Sequence, residues 1–247
     1  MRDIAGAIAA EQQYIQDRIY NHLTVNIYDY LLPYGYVNLN DYFRDKHYYQ
    51  LAHCGVVQHE CTPQSAIPEI QTYMANGTPG LWIPESNHIF AWGCQDEKVN
   101  RALFAEYDIP VYDVPALGGA MISGPEDIGV CVIIPSSIGV GTNHILNRLL
   151  EFFSSRADEN NIFVRDGNDI LYNGKKIIGV TQNNLDNGMF VFWGHVSIVD
   201  RADLVYAICP PTGAKAPGFI GNLFTRAELI NEIKCWFGLG DVYLWQH

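Results

Sequence analysis

Apolar residues recur at helical spacing near the start of the chain. Ile4, Ile8, Ile15, Ile19 and Leu23 fall close to one face, which predicts a helix from residue 3 to about 30. Residues 30–80 show no clear period. They are rich in Tyr and His, are punctuated by Pro63, Pro68 and Pro79, and read as an irregular insertion or partly separate subdomain. From residue 80 the pattern sharpens. Residues 80–92 predict one or two short strands around Pro84–Asn87, and 95–106 a helix with Val99, Leu103 and Phe104 inward. Residues 109–114 and 119–122 read as strands flanking Gly118–Gly119, and the β-branched run 128–134 as a buried strand. Asn143 can cap a helix striped with Ile145, Leu146, Leu149, Leu150 and Phe153.

A β-rich stretch follows. Residues 161–165 predict a strand, and 169–172 with 175–181 predict a hairpin closed by Asn173-Gly174, a type I′ signal. Asp186-Asn187-Gly188 is a second hairpin signal, leading into a strand over 189–198. Asp200 can cap a short helix over 201–208. Thr225 and Glu228 form a capping box that opens a last helix through Phe237. Helices and hairpins alternate irregularly, so the fold class is α+β on a mixed, largely antiparallel sheet flanked by helices. No internal repeat is visible, and a single domain over 1–247 with 30–80 as its insertion is the organisation expected.

Composition narrows the function. The 247 residues carry 15 Lys+Arg against 27 Asp+Glu, a net charge of −12. That excess argues against a nucleic-acid partner, which needs a basic footprint, and against docking on an anionic membrane. No apolar run is long enough for a membrane span, and acidic and amide residues interrupt the N-terminal run too early for a signal peptide. Six cysteines in a chain of this length are too sparse for a disulfide scaffold. A cytoplasmic protein with free thiols is expected.

The segment 166–182 holds the most chemistry. Asn168 and Asp169 start one hairpin strand, and Lys175 and Lys176 follow the turn. Side chains alternate in a strand, so only one of the lysines can face a cleft over the sheet. A lysine there can hold a phosphate or stabilise an oxyanion as a point charge, and a nearby Asp could hold Mg²⁺ against that phosphate. Gly179 and Gly194 permit close approach of backbone or ligand. An ordinary hairpin with solvated lysines is the plainer alternative. The paired glycines before Ala120 could expose N–H groups to an anion, or be a simple turn. Neither a G-x-x-x-x-G-K-[ST] loop nor G-x-G-x-x-G is present.

In order and spacing, Gly118-Gly119-Ala120, Asn168-Asp169, Lys176-Ile177-Ile178-Gly179, Gly194, and more loosely Pro210 and Lys215, resemble the catalytic domain of the biotin/lipoate protein ligase superfamily over roughly residues 80–235. The lipoate-ligase branch fits best. The resemblance implies a ligase-type acyltransferase that uses ATP and Mg²⁺ to activate lipoate or octanoate as an acyl-adenylate and passes it to a lysine of a lipoyl or biotinyl carrier domain. It implies that Lys176 contacts the acyl carbonyl and phosphate. Asp169 with Asn168 would lie near the nucleotide phosphates, with Asp169 as the metal ligand. Gly118, Gly119 and Ala120 would border the acyl-adenylate, Gly179 and Gly194 would floor the pocket, and Lys215 would lie on the adenylate loop. Two departures stand out. No basic residue precedes the glycine pair (Asp113–Leu117), where the family usually has arginines. Trp193-Gly194-His195 replaces the family's His-Gly-Thr or His-Gly-Phe.

The nucleotide-free octanoyltransferase branch keeps a cysteine near the position of Cys209. Ser123-Gly124-Pro125 loosely resembles its Gly-Pro segment, so Cys209 is a second catalytic candidate, as an acyl carrier. Its alternative is a small buried apolar residue. A third possibility is a non-catalytic binding module on the same fold. Further candidates are weaker. His53-Cys54 with His59-x-Cys61 has no standard zinc spacing, and no G-x-S-x-G elbow is present. The dense tyrosines Tyr28, Tyr30, Tyr34, Tyr36, Tyr42, Tyr48 and Tyr49 suit core or lid packing better than a partner surface.

Overall fold

The computed structural model describes residues 2–20, 26–93, 99–115, 120–208 and 215–240. It divides into two compact units, Met1–His53 and Cys54–His247.

The first unit is helical: α1 (Ile4–Tyr20), α2 (Ile27–Leu31) and α3 (Leu39–Ala52). Its core is Ala7, Leu31, Tyr36 and Tyr42, with Ile4 and Ile8 packed against it. The tyrosine rings of Tyr36 and Tyr42 meet edge to face at 5.3 Å. The expected stripe holds only at its start. Ile19 is 60% exposed and Ile15 is also exposed, while Leu23 lies outside the described residues.

The stretch 30–80, expected to be irregular, contains α3 and also α4 (Pro63–Asn76) of the second unit. In α4, Pro63 occupies the first turn, where its missing N–H costs nothing. Thr62 and Ser65 cap each other's backbone. A serine in that reciprocal role hid the helix start from a search for Glu or Gln.

The second unit is built on a seven-stranded sheet ordered β1-β2-β6-β10-β9-β8-β7. Its strands are β1 (Val57–His59), β2 (Gly80–Trp82), β6 (Ile128–Pro135), β7 (Phe163–Asp166), β8 (Asp169–Tyr172), β9 (Lys175–Asn184) and β10 (Met189–Val196). Only β1–β2 is parallel. A small sheet has β3 (Phe90–Gly93) between β4 (Val111–Asp113) and β5 (Ala120–Ser123). The remaining helices are α5 (Arg101–Glu106), α6 (Thr142–Ser154), α7 (Ala202–Ile208) and α8 (Arg226–Trp236).

β10 sorts the core by alternation. Met189, Val191 and Trp193 join Trp92, Phe90, Cys131 and the α4 residues Ala66 and Ile70 on the inner face. Phe192, Gly194 and Val196 face Ile145 and Leu149 of α6 and Ile233 and Trp236 of α8 on the outer face, around a void of only about 10 Å³. The turn at Asn173–Gly174 has φ of 48° and 77°, as type I′ requires. α6 starts two residues earlier than expected. Gly141 is its cap, and Asn143 instead accepts a hydrogen bond from Arg165. Asp200 accepts from Ala202 N–H at 2.9 Å, and the Thr225–Glu228 box forms as expected.

Candidate functional site

Asp169 of β8 pairs with Gly179 of β9, Gly179 with His195 of β10, and His195 with Gly129 of β6. Paired residues in antiparallel strands share a face. These four therefore form a row across the inner face, the side of Trp193.

A bulge decides which lysine joins them. Ile170 pairs with Ile178 but Leu171 pairs with Lys176, so Ile177 is an extra residue in β9. Strict alternation from Gly179 would have aimed Lys175 inward and Lys176 outward. The extra residue reverses the order, a known use of bulges next to functional sites. Lys175 is exposed, whereas Lys176 folds over Gly179. A Cβ built on Gly179 would lie 2.7 Å from Lys176 Cε and 2.8 Å from Nζ. Glycine here is the space the lysine occupies.

Lys176 Nζ donates to Asp169 Oδ1 at 2.8 Å, and Lys215 Nζ to Oδ2 at 2.8 Å and to Asp166 Oδ2 at 2.9 Å. Lys215 is delivered by a segment that adds to the edge of β9. Lys176 N–H donates to Ala216 C=O, and Gly218 N–H donates to Lys176 C=O, each at 2.8 Å. Burial pushes the Asp169 carboxyl up, but its bonds and attraction to the two lysines outweigh that and hold it below the usual carboxylate range. Burial lowers the Lys215 ammonium, and the carboxylates of Asp169 and Asp166 more than restore it, leaving it raised.

His195, mid-row, is buried, and its pKa is lowered chiefly by burial. Its Nδ1 lies 3.5 Å from Ser197 Oγ. Among the described residues its Nε2 has no hydrogen-bond partner, and neither have Nε1 of Trp92 and Nε1 of Trp193. The end of the row is closed by Trp92, whose Nε1 would be 2.7 Å from a Cβ on Gly129. Beside the row, Asp127 is fully engaged by Ile198 and Val199 N–H, Gly124 N–H and Arg201 Nε. The Ser123–Pro125 segment is thereby a turn pinned to Arg201.

The remaining expected residues lie elsewhere. Asn168 lines a polar groove of about 420 Å³ with Thr142, Asn143, His144, Gln182 and Asn184, rather than joining Asp169. Gly194 turns its missing side chain to the outer face, where a Cβ would lie 2.8 Å from Phe192 Cε1. Ala120 pairs with Gly93 in the small sheet. Gly118, Gly119, Cys209 and Pro210 lie outside the described residues.

Both oxygens of Asp169 serve lysines, and among the described residues no group of three His, Cys, Asp or Glu side chains converges as a metal site would. His59 bonds Glu69 at 2.8 Å and stacks on Trp82. Nearby Cys61 has a thiol pushed up to about 12 by burial and by Glu69 and Glu85. Sequence reasoning missed Trp92, Trp193, His195 and Asp166. The i, i+2 spacing of Trp193 and His195 on β10 was the available signal for two of them.

No protein-family model and no curated protein sequence matches this chain. Solved structures do. The chain is similar to LipL1 of P. falciparum in complex with lipoate, with TM-score 0.54 and 16% identity over 74% of this chain and 61% of that one. It spans, then, under two thirds of the LipL1 length. It is also similar to the bi-partite lipoate protein ligase of Thermoplasma acidophilum, solved in a study with its E2 lipoyl domain (TM-score 0.54, 14% identity, 73% and 82% covered). A structure of Ta0514 from T. acidophilum with bound lipoic acid gives TM-score 0.53 at 14% identity, covering 73% and 84%. The fold is the one these lipoate protein ligase structures share.

Proposed function

We propose that this chain is an acyltransferase of the lipoate-ligase kind, activating a carboxylic acid with ATP and passing the acyl group to a lysine of a carrier domain. The observation that supports it most is the convergence of Lys176 and Lys215 on Asp169, beside a glycine that leaves room for Lys176. Both ammonium groups are part-exposed, and ion pairs of that kind are worth only about 0–1 kcal/mol each. An incoming phosphate or carboxylate can therefore take them from Asp169 at little cost. Asp169 is the resting counterion that keeps two positive charges in place in an otherwise acidic protein.

In the first step a carboxylate oxygen attacks the α-phosphorus of ATP. An acyl–phosphate bond forms as the bond to pyrophosphate breaks. In the second, the acceptor lysine attacks the carbonyl carbon as the free amine, the bond to AMP breaks, and the amine proton passes to solvent. Lys176 stabilises charge on the carbonyl and phosphate oxygens without reacting itself, and Lys215 adds to the same field. Magnesium would screen the nucleotide phosphates. Asp169 can offer it an oxygen only by releasing a lysine. Lipoate and octanoate are the first acids to test, and a lipoyl domain the first acceptor.

The test is acid-dependent ATP–pyrophosphate exchange. Lys176→Ala should lower it about 10²–10³-fold, the usual cost of one charge-stabilising donor, and Lys175→Ala should leave it unchanged. No exchange in the native protein, or equal exchange in Lys176→Ala, overturns the proposal. A nucleotide-independent thioester on Cys209 would move the chemistry to that cysteine.

A further inference from the structure

Asp166 is the one member of the lysine–carboxylate cluster to which the chemistry above gives no task. It pairs with Asp169 across the end of the β7–β8 hairpin, so the two carboxylates stand opposite each other on the inner face. Like charges placed that way destabilise a hairpin unless a cation sits between them. Lys215 is that cation. Its Nζ donates to Asp169 Oδ2 at 2.8 Å, to Asp166 Oδ2 at 2.9 Å and to the Asp166 carbonyl oxygen at 2.8 Å. An ammonium has three donors, so all are taken, two of them by Asp166. Among the described residues Lys176 makes one such bond, to Asp169.

The backbone beside Lys215 is anchored. Pro217 forms a parallel bridge with Lys176, and a Cβ on Gly218 would lie 2.6 Å from Lys175 Cβ, so glycine lets the segment lie this close to β9. Asp166 is anchored as well. The turn that follows it runs through Gly167 at φ 65°, and the Gly167 carbonyl accepts from Arg165 Nε at 3.0 Å. Between two fixed backbones the remaining freedom is in the four-carbon chain of the lysine.

We propose, resting on the function set out above, that Asp166 is a positioning residue: it holds the Lys215 ammonium at the site when an incoming phosphate or carboxylate takes the place of Asp169. Losing the Asp169 bond leaves Lys215 two bonds, both to Asp166. Lys176 loses its one bond and is free to follow the ligand. Lysine is among the side chains most costly to immobilise. A residue that orders Lys215 before the ligand arrives removes that cost from binding and reaction. The side chains of Asp166 and Lys215 are 58% and 32% exposed, so solvent screens their attraction, and the gain lies in geometry more than in stability.

The test pairs two readouts on the whole chain. The first is trace acetylation with acetic anhydride, read by peptide mass spectrometry. Lys215 should react more slowly than the exposed Lys175. Asp166→Ala should raise the Lys215 rate about three- to tenfold and leave Lys175 unchanged. The second is ATP–pyrophosphate exchange with lipoate or octanoate, per folded molecule. Asp166→Ala should lower kcat/KM about three- to tenfold, and Asp166→Glu should recover most of the loss. Asp166→Ala combined with Lys215→Ala should be no slower than Lys215→Ala alone, because the carboxylate acts through that lysine. Asp166→Asn, of the same shape but uncharged, should act in the same direction in both readouts. The proposal is overturned if Lys215 reacts as fast as Lys175 in the native protein, if Asp166→Ala leaves the Lys215 rate unchanged, or if the two substitutions multiply. Its failure is separable from that of the ligase reading. Protection of Lys215 that depends on Asp166, in a protein with no exchange, would sink the ligase reading alone. Exchange that needs Lys176 but is unchanged in Asp166→Ala would sink the positioning role alone.

Discussion

The two faces of the central sheet use the same strands for opposite ends. On the outer face, Phe192 and Val196 meet Ile145, Leu149, Ile233 and Trp236, and the packing leaves almost no void. On the inner face, one residue away along the same strand, Trp193 and the buried His195 have ring nitrogens without a hydrogen-bond partner among the described residues, in a row that ends at a carboxylate shared by two lysines. The outer face satisfies every demand of packing, and the inner face leaves several unmet. Proteins keep such deficits where a ligand makes them good.

The comparison can be broken by substitution. Phe192→Ala on the outer face should cost about 3–5 kcal/mol in chemical denaturation, as a cavity in a dense core does. Exchange activity per folded molecule should be kept. A large loss of specific activity would show that the faces are coupled.

Gly129→Ala on the inner face should be overpacked against the fixed Trp92 ring. It should cost about 1–3 kcal/mol and alter tryptophan fluorescence. Gly179→Ala meets only the flexible end of Lys176, so it should be milder in stability and lower activity by displacing the ammonium.

Thr225→Ala removes the cap of α8, whose hydroxyl and backbone bonds go to Glu228, and should cost about 1 kcal/mol with activity unchanged.

The pH dependence sharpens the contrast. Bonds from Arg156 and from the Thr225 backbone and hydroxyl hold Glu228 down at about 2. A lowered acid stabilises the fold above its unfolded value of about 4.3, and that contribution is lost as pH falls toward 2. Asp169 behaves with the same sign below its unfolded value of about 3.9. Urea titrations between pH 5 and 2 should show a shallower acid-side loss in Glu228→Gln and, to a smaller extent, in Asp169→Asn. An unchanged slope in both would contradict these assignments.

Much of the sheet was legible because its signals are local. The Asn173-Gly174 turn, the apolar run of β6 and the Thr225 box each rest on a few adjacent residues. Lys176 and Asp169 were legible through the resemblance, and Lys215 more loosely. The bulge at Ile177 was not, since nothing in Lys-Lys-Ile-Ile-Gly marks which isoleucine is extra, and that residue alone selects Lys176 over Lys175. Nor were the row and its tryptophan wall. They arise where β3, β6, β9 and β10 meet, from residues that read singly as core. The α1 stripe misled for a related reason, because periodicity gives a face without saying whether anything covers it.

The most direct test of the central claim is the intact mass of a lipoyl domain incubated with this protein and Mg-ATP, with lipoate or octanoate in turn. The account predicts a gain of one acyl group that requires ATP, is lost in Lys176→Ala and survives in Lys175→Ala. No gain with either acid, or a gain indifferent to Lys176, would contradict it.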